Sequence, residues 1–346
     1  MHKLFALFAA LLASLLLALI PPLQAAPAAD APPARRVRVL VVNRDEKQLV
    51  ILDPVTREIV AKVPTGNGSH EVAASEDGRL AIVSNYGDKD APGNTLSIID
   101  IDAAKELRRG SVAPLARPHG LAVAGGNVWF TAEANQVVGR FNMAENAVDR
   151  VVGTAQKLSH MIVIDRKTEQ LYTSNIVSGS VSAIAPVDPP ARWDVVQIAT
   201  KGGPEAIALS PDGKQVWVGH RPTGGISIID TATKKVTSTI DVDHFVFRLA
   251  FTPDGKYVLG TAPDAGVVEV YEAATGDRVK KIETPGGAPV TLALDPDGTR
   301  AFVAVAGANR VYVIDLKTLE VVASMPSGGT PDGIAVAVAG PVAGNG

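Results

Sequence analysis

From Val37 to Val338 the chain is written in apolar runs of four to six residues, divided by polar stretches of glycine, proline and aspartate. Runs of that length between turn residues suit strands, and no segment carries a helical period. The fullest unit begins Gly203-Pro204-Glu205-Ala206-Ile207-Ala208-Leu209, turns at Ser210-Pro211-Asp212-Gly213, and continues through Gln215-Val216-Trp217-Val218. It ends with Ile226-Ser227-Ile228-Ile229-Asp230 and Val236-Thr237-Ser238-Thr239-Ile240. This pattern predicts four short antiparallel strands, designated a, b, c and d. Asp77-Gly78, Asp212-Gly213, Asp254-Gly255 and Asp297-Gly298 supply the positive φ angles of the hairpin between a and b. Asp53, Asp100, Asp230 and Asp315 close strand c as Asx-type turn formers.

The unit recurs along the chain. The position of Glu205 is occupied in turn by His70, His119, His160, Glu205, Arg248, Val290 and Asp332, at spacings of 41 to 49 residues. One four-stranded sheet cannot bury both faces, whereas radial stacking lets each sheet cover its neighbours. The expected fold is therefore all-β: a seven-bladed β-propeller over residues 37–338. The last copy stops after strand a, Gly333 to Val338, while Val37 to Val63 holds strands b, c and d without a strand a. The two ends are expected to share one blade and close the ring by strand exchange.

The repeat of Ser-Pro-Asp-Gly, then Val-Trp-Val or Leu-Ala-Ile-Val-Ser-Asn, then Ser-Ile-Ile-Asp resembles the YVTN-type, YncE-like propeller repeat of exported bacterial proteins. The resemblance covers Val37 to Val338 and implies architecture without a shared catalytic set. One stretch, Pro118-His119-Gly120-Leu121-Ala122-Val123 through Val138-Gly139-Arg140, is also similar to a blade of the streptogramin lyases, which are metal-dependent propellers. The catalytic histidine and glutamate of those lyases lie in later blades that find no match here, so the activity does not transfer.

Before the repeats, Lys3 precedes an apolar run from Leu4 to Ile20, followed by Pro21-Pro22 and small residues to Ala26. This layout predicts a signal peptide over residues 1–26, with cleavage after Ala25 or Ala26, and an Ala/Pro-rich leader over residues 27–36. A periplasmic or secreted protein with no membrane span after cleavage follows, with residues 339–346 as a flexible tail. A net charge of -3 gives no electrostatic footprint for nucleic acid, leaving a small molecule or a periplasmic protein as the expected partner of a monomer. With no cysteine there is no disulfide framework, thiolate metal site or lipid anchor on sulfur.

Residues at the start of strand a, and those following strand b, face one mouth of the central channel. His70, His119 and His160 hold equivalent positions in consecutive blades, so neutral imidazoles are expected to converge on one divalent metal, with Zn, Fe, Mn, Ni and Cu all compatible. Glu133 or Glu205 would serve as a carboxylate ligand, an orienting partner or a proton carrier, and Arg248 or Arg221 would hold a substrate carboxylate. Asn85, Asn175, His220, Arg221 and Asp332 complete the expected ligand-binding rim. Two functions follow from this inventory. One is a binding scaffold for a small molecule, metal or protein partner; the other is a metal-dependent lyase, lactonase-like hydrolase or oxygenase at the same site. Alternatively, the same residues are a solvated polar lining that bonds to neighbouring carbonyls.

Overall fold

The computed structural model describes residues 36–187, 192–222 and 224–340. The predicted signal peptide, the leader through residue 35 and the tail from residue 341 lie outside the described residues. Among the described residues the strands form seven sheets of four, each antiparallel in the order a-b-c-d. Blades 1 to 6 begin at Ser69, Pro118, Ser159, Gly203, Arg248 and Pro289. Blade 7 joins Pro331–Ala339 as strand a to Arg36–Asn43, Gln48–Asp53 and Glu58–Pro64. Seven pairings, from Arg36 opposite Ala339 to Asn43 opposite Pro331, hold the chain ends together. Strand exchange thus closes the ring.

Packing explains why the ring is complete. Each hydrophobic cluster spans two neighbouring blades: Leu40, Val42, Leu49 and Ile51 of blade 7 meet Val83 and Ile99 of blade 1. Phe302, Val311 and Val313 of blade 6 meet Val39, Val41 and Val50 on the opposite face of blade 7. Equivalent clusters fill the other five interfaces. Trp217 is fully buried against Phe251 and Tyr271 of the next blade. Strands d alternate exposed and half-buried residues, as in Lys105–Ser111, and form the rim. Strands a of adjacent blades pack against one another around the axis.

The turns behave as the sequence patterns require. Gly78, Gly213, Gly255 and Gly298 take φ of 68°, 74°, 71° and 73°, and each donates its N–H to the carbonyl three residues earlier. The preceding aspartates instead accept from the residue after glycine, as Asp77 does from Arg79 at 3.1 Å. Asp53 caps its turn through Val55 N–H at 2.8 Å, and Asp100, Asp230 and Asp315 do the same in their blades.

Candidate functional site

The side chain near the start of strand a is re-aimed in blades 1, 2 and 3 by an irregularity of the ladder. In blades 1, 2 and 3 the pairs His70-Glu71, His119-Gly120 and His160-Met161 each oppose a single residue of strand b, namely Ser84, Thr131 and Ser174. Such a bulge breaks pairing and re-aims a side chain. The opposing hydroxyl compensates the freed backbone: Glu71, Gly120 and Met161 donate their N–H groups to Ser84, Thr131 and Ser174 at 3.1, 3.0 and 3.2 Å. Thr131 then donates to the carbonyl of His160 in the next blade at 2.6 Å, and Ser174 to that of Glu205 at 3.2 Å. Position within one blade is thereby tied to position within the next. Gly120 is required here, since a Cβ would stand 2.6 Å from the His160 carbonyl oxygen.

These bulges bring the three histidines into one cluster of rings. The His119 ring lies 4.0 Å from that of His160 and 5.1 Å from that of His70, which stacks on Tyr86 at 4.9 Å. His160 sits between two carboxylates, with Nδ1 2.6 Å from Glu133 Oε1 and Nε2 2.9 Å from Glu205 Oε1. Tyr86 donates its hydroxyl to Glu133 Oε2 at 2.5 Å, and Arg221 donates to Glu205 Oε2 at 2.8 Å. On the far side of the ring Arg248 pairs with Glu71, and Asp332 faces Arg44 at 3.7 Å.

Environment divides the three imidazoles. Burial, together with the nearby His160, His70 and Arg248, holds His119 well below the usual histidine value, so its ring is neutral at pH 7. Burial likewise lowers His70, aided by Arg44 and opposed by Asp332. Burial acts the same way on His160, but the bonds to Glu133 and Glu205 outweigh it and raise this imidazole to about 9. Glu205 responds in kind: burial would raise it, yet His160 and Arg221 bring it down to about 2. Burial pushes Tyr86 up to about 12, reinforced by Glu133, and so keeps it a phenol donor. Glu71 is raised by burial despite Arg248.

Ligating atoms of His119, Glu133 and His160 lie within 4.8 Å of one another. His119 is 5% exposed, and its Nδ1 is buried without a hydrogen-bond partner. Two imidazoles and a carboxylate suit Zn and the other divalent metals expected from the sequence. His70, expected from the sequence as a ligand, stands one ring further out with Nδ1 3.1 Å from the Gly68 carbonyl, and it is Glu133 whose carboxylate lies within 4.8 Å of ligating atoms of His119 and His160.

Other expected rim residues fall elsewhere. Asn85 accepts from Gly66 N–H at 2.9 Å and donates to Thr95 and Ser97, while Asn175 is held by Ser159, Ser180 and Ser182. Both knit their own blades together. His220 bonds Ser227 at 2.8 Å inside blade 4, and burial presses it to about 4. Glu205, Arg221, Arg248, Glu71 and Asp332 do gather around the axis.

Tyr86 is the participant missing from the sequence inventory. It follows Asn85, the strand-b residue that pairs with the start of strand a, and Glu133, Arg221 and Arg44 follow the equivalent Ala132, His220 and Asn43 in blades 2, 4 and 7. The same position recurs across the repeats and forms a second ring beside that of strand a. Outside the cluster, His70 and Tyr86 line a cavity of about 620 Å³ with Arg44, Lys47, Lys89 and Arg117 around it.

Comparison with known proteins agrees with this architecture. A profile of the YNCE-like beta-propeller family matches residues 246–342. The protein YncE of Salmonella typhimurium is 25% identical over 304 residues, covering 82% of this chain and 83% of that protein. The chain is similar to the YncE-like β-propellers. Antigen Lp49 of Leptospira interrogans is 23% identical to this propeller over 320 residues, spanning 84% of the chain and 68% of the antigen. The Kuenenia stuttgartiensis hydrazine synthase structure superimposes with a TM-score of 0.67 at 20% identity, covering 78% of this chain and 89% of that one. A Desulfotomaculum acetoxidans protein of unknown function reaches 0.73 at 14% identity, over 88% of this chain and 99% of that one. At those identities the two structures share the fold. The single-blade likeness to streptogramin lyases gains no support from these matches. Among the described residues no helix is long and apolar enough to cross a membrane.

Proposed function

We propose that this YncE-like propeller is an exported binding protein that holds one divalent metal ion at the polar end of its channel, with His119, Glu133 and His160 as ligands. The observation that carries this reading is the convergence of three ligating atoms within 4.8 Å. The buried His119 Nδ1 without a partner supports it, because a polar atom taken from water without compensation is destabilising. His119 is neutral and ready to ligate, whereas His160 must give up a proton, so metal uptake releases acid. Glu205 and Tyr86 orient His160 and Glu133 from behind, the arrangement that fixes ligands in metalloproteins. Export is supported by the Lys3, apolar run and Ala25-Ala26 layout.

Three protein ligands leave a coordination position open, and this favours a second reading in which the site carries out metal-assisted lyase or hydrolase chemistry. Calorimetric titration of Zn²⁺ into untagged, chelator-treated protein tests the metal site. One ion is expected to bind at about micromolar Kd or tighter, with His119→Ala losing about 100-fold and His70→Ala within a few-fold of wild type. Equal affinities for wild type and His119→Ala would return the cluster to a plain polar lining.

A further inference from the structure

The cavity beside the ring cluster contains none of the three proposed metal ligands. Its volume of about 620 Å³ falls inside the range of roughly 300 to 1,000 Å³ usual for small-molecule sites. Blade 7 contributes Arg44 and Lys47 from its hairpin between b and c, blade 1 contributes His70, Tyr86 and Lys89, and Arg117 stands just before strand a of blade 2. His70 and Tyr86 stack at 4.9 Å, and the Arg117 guanidinium lies over the Tyr86 ring, also at 4.9 Å.

Charge on the walls is unbalanced. Four cationic residues line the cavity against two acidic ones, Asp45 and Asp88, and burial lowers His70, which stays neutral at pH 7. Both carboxylates already have donors. Asp88 accepts from Asn67 at 2.7 Å and from the N–H groups of Asp90 and Ala91 at 2.9 and 2.8 Å, while Asp45 accepts from Thr330 at 2.7 Å. The cations are less engaged. Arg44 stands 3.7 Å from Asp332 and 3.9 Å from Asp45, too far for a hydrogen bond, and its guanidinium has no closer acceptor among the described residues. The Lys47 ammonium makes no hydrogen bond or close ion pair among the described residues. Arg117 uses one nitrogen on the Asp88 carbonyl at 2.9 Å, and Lys89 pairs with Asp90 only at the exposed surface, where such a pair is weak.

We propose that this cavity binds a small dicarboxylate, one carboxylate held by Arg44 and Lys47 and the other by Lys89 and Arg117. Two negative charges match the surplus of two positive ones. The cations also fall into two pairs: Arg44 and Lys47 close one hairpin, and Arg117 is bonded to the residue before Lys89. A monocarboxylate would leave one pair without a partner. Guanidinium forks and ammonium groups suit carboxylates through charge-assisted hydrogen bonds. Phosphate sites commonly draw on backbone N–H groups, but those of Lys47, Tyr86, Gly87 and Asp88 already donate to carbonyls here.

The site is independent of the metal, so its test uses untagged protein stripped on a chelating resin, which leaves no soluble polycarboxylate behind. Succinate, glutarate, adipate, butyrate and inorganic phosphate are titrated separately by calorimetry at one ionic strength. The best dicarboxylate is expected to bind one to one, about tenfold or more tighter than butyrate or phosphate. Arg44→Gln and Lys47→Gln, both at exposed positions, should each weaken that binding about tenfold. Wild-type protein that binds no dicarboxylate more tightly than butyrate or phosphate overturns the proposal, as do folded variants that keep wild-type affinity. Should the variants not fold, the five compounds on wild type decide alone. Dicarboxylate binding without Zn²⁺ uptake would refute the metal site and leave this one standing, and Zn²⁺ uptake without dicarboxylate binding would do the reverse.

Discussion

His160 is held between Glu133 and Glu205, and this placement sets the acid-base behaviour of the layer. Because its folded-state value is raised to about 9, the metal-free protein gains stability from the protonated ring below the unfolded value near 6.5 and loses it as pH rises toward 9. Glu205, lowered to about 2, contributes above its unfolded value near 4.5 and loses that contribution as pH falls toward 2. The two shifts describe one interaction, and it is fully present from about pH 4.5 to 6.5. Urea denaturation of metal-free protein is therefore expected to give stability lower at pH 9 than at pH 6, by something on the order of 2 to 3 kcal/mol for this pair. His160→Gln should flatten that alkaline slope. An unchanged slope in the variant would show that another group titrates.

The strand-a bulges decide where these side chains point, and their hydroxyl partners hold neighbouring blades in register. Thr131 accepts from Gly120 N–H and donates to the His160 carbonyl, so Thr131→Val removes both bonds without changing side-chain shape. The expected cost is about 1 to 3 kcal/mol in denaturant unfolding, with metal affinity weakened as His119 and His160 lose their common reference. A variant as stable as wild type, binding metal equally well, would contradict the coupling. Repeat alignment made the first ring legible in the sequence because His70, His119 and His160 share a register. The second ring, at the channel end of strand b, was harder to read, since Tyr86, Glu133 and Arg221 share a place but no chemistry. Asn85 and Asn175 looked like rim residues from their position at the end of strand b. Their amides instead satisfy blade-internal donors and acceptors, a role that depends on hydroxyl neighbours such as Ser97 and Ser182.

At the scale of the whole molecule, the propeller and its closure were readable because turn chemistry and apolar runs repeat on one period. The convergence of blades on a single axis is what no local pattern encodes. Removing residues 331–346 would strip strand a from blade 7, expose the edge of Arg36–Asn43 and open the interfaces on both its faces. Domain stability is typically about 5 to 15 kcal/mol, too little to survive two opened interfaces, and an unpaired edge invites association. The truncated protein should aggregate; a soluble monomer with an unchanged Tm would contradict the closed ring. The same ring carries the central claim, that adjacent blades 2 and 3 present a metal site to the axis. The most direct measurement is an anomalous difference map from crystals of untagged protein soaked in Zn²⁺ and collected at the zinc edge. One strong peak is predicted about 2.0 to 2.2 Å from ligating atoms of His119, Glu133 and His160. No peak there, or one bound only by surface carboxylates, would contradict the account.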